Sequence, residues 1–173
     1  MTVTVADIGA ARVVTWDRQA RRNAWDLPTM TAIAAEIEVA GRDVDVRMIA
    51  VRGAGGHFSA GDDLQAAIEA DTAAWAETIE AFQRMTRVVL AAPVPVVAVV
   101  DGVCVGGALE FAASCDLRLC SNRVRLLTRP ALHSHYREKS GRTRTRPPQS
   151  GVLRSANSLS AARASGSSNR RTQ

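Results

Sequence analysis

Two short segments of this 173-residue chain hold the residue types best suited to chemistry. Phe58-Ser59-Ala60-Gly61-Asp62-Asp63-Leu64 and Gly106-Gly107-Ala108-Leu109-Glu110 each set glycine beside a carboxylate. Glycine lets another molecule come close to the backbone, and a carboxylate in reach can give or take a proton. Taken alone, Gly106-Gly107 is equally a tight turn from strand to helix. Asp62 and Asp63 could hold a metal, but no third ligand stands near them and capping a helix is the commoner use of such an aspartate; no metal is assigned. Glu110 stands out because the surrounding stretch, residues 103–113, is otherwise apolar. His57 reads as an exposed loop residue rather than a base. Arg22 reads either as a solvated side chain at a strand end or as an anion contact. Cys104, Cys115 and Cys120 lack paired metal-ligand spacing and read as small buried thiols, kept reduced.

The composition is that of one globular domain of ordinary size, with 46% apolar, 23% charged and 4% aromatic residues. No apolar run approaches the ~20 residues needed to cross a bilayer, and no basic stretch followed by an apolar one marks a secretory signal. The expectation is a soluble cytoplasmic protein without a membrane partner. The formal charge of +5 hides a division. Residues 1–120 carry ten arginines and no lysine against sixteen acids, whereas residues 121–173 carry eleven arginines and Lys139 against Glu138 alone. An arginine-rich tail can attract nucleic acid through its phosphates. With Tyr136 as its one aromatic and no recognisable nucleic-acid fold, only non-specific attraction follows, and no specific nucleic-acid partner is assigned.

The elements that must position the two segments are read from periodicity. Val3, Val5 and Ile8, then Gly9, then Val13, Val14 and Trp16 predict two strands joined by a tight turn. Met30, Ile33, Ile37 and Ala40 recur at helical spacing over residues 29–42, behind Pro28 and a threonine able to cap. Residues 48–53 predict a strand buried on both faces and closed by glycine. Trp75, Ile79, Phe82, Thr86 and Val89 track one face of a helix over residues 72–90, stopped by Pro93 and Pro95. Residues 96–100 predict a second buried strand, residues 105–113 a glycine turn opening a helix, and residues 117–119 a further strand. Strand and helix in alternation predict an α/β fold with parallel pairing. The order dissolves after about Ser121. Residues 123–173 are expected to form a disordered tail beyond a core of residues 1–122, because arginine, serine, glycine and proline offer too little apolar area to offset the entropy of ordering.

These segments, in this order and spacing, together with Arg18 or Arg22 before Asn23-Ala24 and with Cys115-Asp116, resemble the enoyl-CoA hydratase/isomerase (crotonase) superfamily over roughly residues 3–120. The resemblance implies a crotonase-like ββα spiral core, here incomplete. It also implies chemistry on an acyl-CoA thioester, with the backbone N–H groups of Asp62 and Gly107 receiving the charge that develops on the thioester oxygen. Glu110, about one turn beyond Gly107, is then the acid/base residue. Arg22, Ala24, Ala60, Asp62, Asp63, Leu64 and Gly107 are the substrate contacts, and coenzyme A belongs to the substrate rather than being a resident cofactor. The implied reaction is hydration of a trans-2-enoyl-CoA in fatty-acid metabolism, with double-bond isomerisation as the alternative.

One departure stands out. The family's second glutamate follows a proline about twenty residues on, where this chain has Pro130-Ala131. The near absence of lysine points to GC-rich coding, and a change of frame near residues 121–130 would yield such a tail and leave an inactive remnant. Without the family's C-terminal helices, its homotrimers and hexamers are not expected, and the strand at residues 96–100 and the helix at 72–90 are expected to show uncovered apolar faces.

Overall fold

The computed structural model describes residues 2–127. Strands β1 (Thr2–Ile8) and β2 (Ala11–Asp17) form the expected antiparallel hairpin, pairing Thr2 with Asp17 through Ile8 with Ala11. Helix α1 (Leu27–Arg42) returns the chain to β3 (Met48–Gly53), which lies parallel to β2. Its cap is not a threonine. Asp26 accepts from the Thr29 amide, and Pro28 falls inside the first turn, where its missing N–H costs nothing. Helix α2 (Leu64–Glu69) has no counterpart in the sequence reading; its one turn and a half bears too few apolar positions to show a period.

Helix α3 (Thr72–Leu90) matches the expected limits, but its buried face is Ala81, Met85 and Val89. Phe82 and Thr86 lie at the edge of that face, and Trp75 and Ile79 are only half-buried. Strand β4 (Val96–Val100) follows, then the short β5 (Val103–Val105), α4 (Gly107–Ser114), β6 (Leu117–Cys120) and β7 (Arg125–Leu127). One sheet has the order β1-β2-β3-β4-β6, parallel except at β1, and a second pairs β5 with β7. Regular pairing therefore continues past the boundary expected at residue 122: Val103, Cys104 and Val105 pair with Arg125, Leu126 and Leu127. The expected tail from residue 128 on lies outside the described residues.

The core lies between this sheet and α1, α3 and α4. Met30, Ile33 and Ile37 of α1, Met85 of α3 and Ile49, Val51 and Val96 of the sheet are fully buried. Each such aliphatic side chain removed from water contributes about 1.5–3 kcal/mol before the entropy of ordering is counted. The expectation that β4 would show an uncovered face fails, because neighbouring strands and helices enclose it: Val96, Val97, Ala98 and Val100 are all buried. Exposed apolar side chains lie elsewhere, among them Ile68 on α2, Leu90 at the end of α3, and Leu117 and Leu119 on the edge strand β6. Cys104 and Cys115 are buried as expected, but Cys120 on that same edge is exposed. Among the described residues, no helix is long and apolar enough to cross a membrane.

Candidate active site

The two glycine segments are brought together by backbone pairing. After β3 and its glycine loop, residues 58–63 run as an extended segment with partners on both sides. Towards β5, the Phe58 amide donates to Asp101 O (2.8 Å), the Ser59 amide to Val103 O (3.0 Å), and the Val105 amide to Ser59 O (3.2 Å). Towards residues 22–25, the Ala60 amide donates to Arg22 O (3.0 Å), the Trp25 amide to Gly61 O (2.8 Å), and the Asp63 amide to Trp25 O (2.8 Å). Strand β5 stops at Val105 and bends into α4, so the strand that would have met the Asp62 amide is no longer there. The Gly107 amide opens α4, where a helix has no carbonyl of its own to offer. Among the described residues, neither of these amides donates to another residue.

How closely the turns approach is set by Gly61. A Cβ there would lie 2.7 Å from Val105 O and 3.6 Å from the Gly107 nitrogen, and its φ of +83° belongs to the region that glycine favours. Gly106, at φ +59°, makes the sharp entry into α4. A Cβ on Gly107 would meet the Phe82 ring at 3.0 Å and Asp62 Oδ1 at 3.5 Å. The Asp62 carboxyl thus lies close to Gly107, whose amide opens the positive end of α4.

Glu110 is exposed, in the first turn of α4. With Phe82, Gln83, Thr86 and Arg87 of α3 it lines an open pocket of about 380 Å³. The α3 contribution was not legible in the sequence, since Phe82 and Thr86 fitted a core-facing stripe equally well. A larger pocket of about 490 Å³ lies between α1 and α3 and contains none of the residues of the two turns. Burial raises the Asp62 carboxyl above its ordinary value, the nearby Glu110 charge raises it further, and its own amide partly offsets both.

Other predicted residues serve the frame. Asp63 accepts from the Gln65 and Ala66 amides as the cap of α2 and pairs with Arg18 at 2.9 Å. Burial alone would raise its carboxyl, but Arg18 and the helix amides hold it below the usual range. Arg18 also binds Asp26 (3.3 Å) and the Ala24 carbonyl (2.6 Å), so it clamps the 22–25 segment to the 58–63 segment. Arg22 is exposed and left-handed at φ +51°, as is the buried Asn23 at φ +58°. Asn23 sustains that conformation by accepting from the Arg18 amide and donating to Ala54 O and His57 O, both at 2.7 Å. Ala24 is buried, Ala60 half-buried beside Gly61, and Leu64 exposed at the start of α2. His57 is half-buried rather than exposed, because its Nδ1 accepts from the Val103 amide at 3.2 Å. Trp16, Trp25, Phe58 and Phe111 pack edge to face beneath the site, with centroids 5.0–6.5 Å apart, and Trp16 Nε1 donates to Phe58 O at 2.8 Å. The Trp25 indole nitrogen is buried without a partner among the described residues. Among those residues no three His, Cys, Asp or Glu side chains gather as metal ligands do.

The family model for enoyl-CoA hydratase/isomerase matches residues 9–133. The chain belongs to the enoyl-CoA hydratase/isomerase family. Solved crotonase-fold enzymes agree. An enoyl-CoA hydratase/carnithine racemase from Magnetospirillum magneticum superposes with TM-score 0.68 at 30% identity, over 73% of this chain and 48% of that one. An enoyl-CoA hydratase/isomerase from Xanthobacter autotrophicus gives 0.68 at 31% identity, over 73% and 48%. Among curated proteins, the mitochondrial Delta(3,5)-Delta(2,4)-dienoyl-CoA isomerase of Mus musculus is 29% identical over 116 residues, 61% of this chain and 36% of that protein. The chain thus spans about half the length of these solved members of the family and about a third of that curated relative.

Proposed function

We propose that this chain acts on acyl-CoA thioesters through an enolate, hydrating a trans-2-enoyl-CoA to the 3-hydroxyacyl-CoA in fatty-acid metabolism in the cytoplasm. What carries the reading is the approach of two turns whose amides, those of Asp62 and Gly107, donate to no other residue among the described ones, at the start of the helix that holds Glu110. When water adds to the β-carbon of an enoyl thioester, electrons move onto the thioester oxygen; two fixed N–H groups stabilise it there, each typically worth ~10²–10³ in rate. Glu110 takes the proton from the attacking water. Ala60 and Leu64 line the approach, Ala24 supports the loop, and the exposed Arg22 meets a phosphate of coenzyme A, which arrives and leaves with the substrate. Asp63, committed to Arg18 and to α2, holds the loop rather than touching the thioester.

A second reading, double-bond isomerisation, is supported by the curated relatives, whose names are those of dienoyl-CoA isomerases. It needs the same enolate and differs in where the proton returns. Incubating the 173-residue chain with crotonyl-CoA and, separately, with a 3,5-dienoyl-CoA, and following absorbance, distinguishes the two. Loss of the crotonyl-CoA chromophore, reduced ~10²–10⁴-fold in Glu110→Gln, is the expected result. Turnover indifferent to Glu110→Gln would contradict the assignment.

A further inference from the structure

The Asp62 carboxyl is not consumed by the frame of the site. Its neighbour Asp63 is bound by Arg18 and by two helix amides, whereas among the described residues the Asp62 side chain has no cation or other side chain as a hydrogen-bonding partner. It is half-buried, with Oδ1 3.5 Å from where a Gly107 Cβ would stand and the Phe82 ring closing the same space at 3.0 Å. A thioester oxygen held by the Asp62 and Gly107 amides has its α-carbon two bonds away. That distance is within the span of a side chain rooted at one of the same two residues.

We propose, building on the thioester reading above, that Asp62 is a catalytic residue through its side chain as well as its amide: its carboxyl delivers the proton to the substrate α-carbon, while Glu110 works on the water.

The groups facing Asp62 favour a protonated carboxyl. Glu110 of α4 faces it with like charge, Phe82 of α3 is uncharged, Arg87 on the next part of α3 is paired with Glu80, and Arg18 on the loop side is bound by Asp63 and Asp26. No neighbouring cation offsets burial, so the proton is held above the ordinary carboxylate range. In the reaction, Glu110 accepts a proton from water as the water oxygen bonds to the β-carbon. The electron pair of the double bond moves onto the thioester oxygen. It returns to form the α-carbon–hydrogen bond with the proton of Asp62, whose carboxylate then recovers the proton from Glu110 through solvent. The contact between the Asp62 carboxyl and its own amide is given up when the thioester oxygen takes that amide.

Asp62→Asn and Asp62→Ser keep the amide and remove the transferable proton. On the full chain with crotonyl-CoA, each is expected to lower kcat about a hundredfold with KM within a few-fold. The fall of wild-type kcat at high pH, where an acid must stay protonated, is expected to vanish, and Asp62→Glu to restore part of the rate. Both neutral variants are expected to melt at or above the wild-type temperature at pH 7, since a carboxyl whose charged form is disfavoured by folding begins to cost stability once pH passes its unfolded-state value of about 3.9. Wild-type kcat and pH profile in either folded variant, with Glu110→Gln still impaired, would overturn the role of Asp62 and leave the thioester reading intact. Absence of thioester turnover in the wild-type chain would overturn both.

Discussion

Gly61 decides how near the two turns can come, so its replacement tests the geometry at the smallest scale. In Gly61→Ala the new Cβ meets Val105 O at 2.7 Å, a backbone atom that cannot turn aside, and the residue must hold φ near +83°. The left-handed conformation alone costs roughly 1–2 kcal/mol for a residue with a Cβ, and the clash adds to it. Urea unfolding is expected to register a loss of at least ~1–2 kcal/mol, and because the clash pushes α4 away from the loop, activity falls even under conditions where the variant is fully folded. A variant of wild-type stability and activity would mean that the turns do not approach as described. The candidate residues could be named from the sequence, but not how they lie. Asp62, Gly107 and Glu110 came from the motifs that carry the family resemblance, while the separation of Asp62 from Asp63 into an unpaired carboxyl and a bound one depends on Arg18, forty-five positions upstream of Asp63.

Among the elements, the 22–25 segment, the 58–63 segment and the start of α4 act as one assembly, and Arg18 joins the first two. Arg18→Ala leaves Asp63 buried without its cation, an omission expected to cost ~1–3 kcal/mol at pH 7. The pH dependence follows from the lowered native pKa of Asp63. Its contribution is fully present above the unfolded-state value of about 3.9 and is lost as pH falls through the lower native value. Urea unfolding from pH 7 down to pH 2 is therefore expected to show the wild type losing more stability than Arg18→Ala, with the two curves converging; parallel curves would contradict the clamp. Most elements were legible because their periods are strong: α3 and β4 were expected within the limits observed, and β3 likewise. Those that were missed, α2, β5 and β7, have six, three and three residues, too few for a period to declare itself. The face of α3 was rotated in the sequence reading because Trp75 and Phe82 outweigh Ala81 and Met85 in bulk, whereas packing against α1 selects the narrower side chains.

Over the whole described chain, burial divides the thiols. Burial pushes Cys104 and Cys115 up to about 12, while Cys120 sits exposed on β6. Only the thiolate attacks, so a maleimide or disulfide reagent at pH 8 is expected to modify one cysteine rapidly in the native protein and all three once urea is added, as counted by intact mass. Rapid modification of all three without denaturant would show that the sheet and α4 do not close over Cys104 and Cys115. The same global fold brings the two turns together, and the claim resting on it is that the Asp62 and Gly107 amides polarise one thioester carbonyl. Infrared difference spectra of an enoyl-CoA carrying a ¹³C label at that carbonyl read this directly. Bound to the full chain, the carbonyl stretch is expected to shift to lower frequency than in water, because two fixed donors withdraw electron density from the double bond; a bound carbonyl at or above its frequency in water would contradict the account.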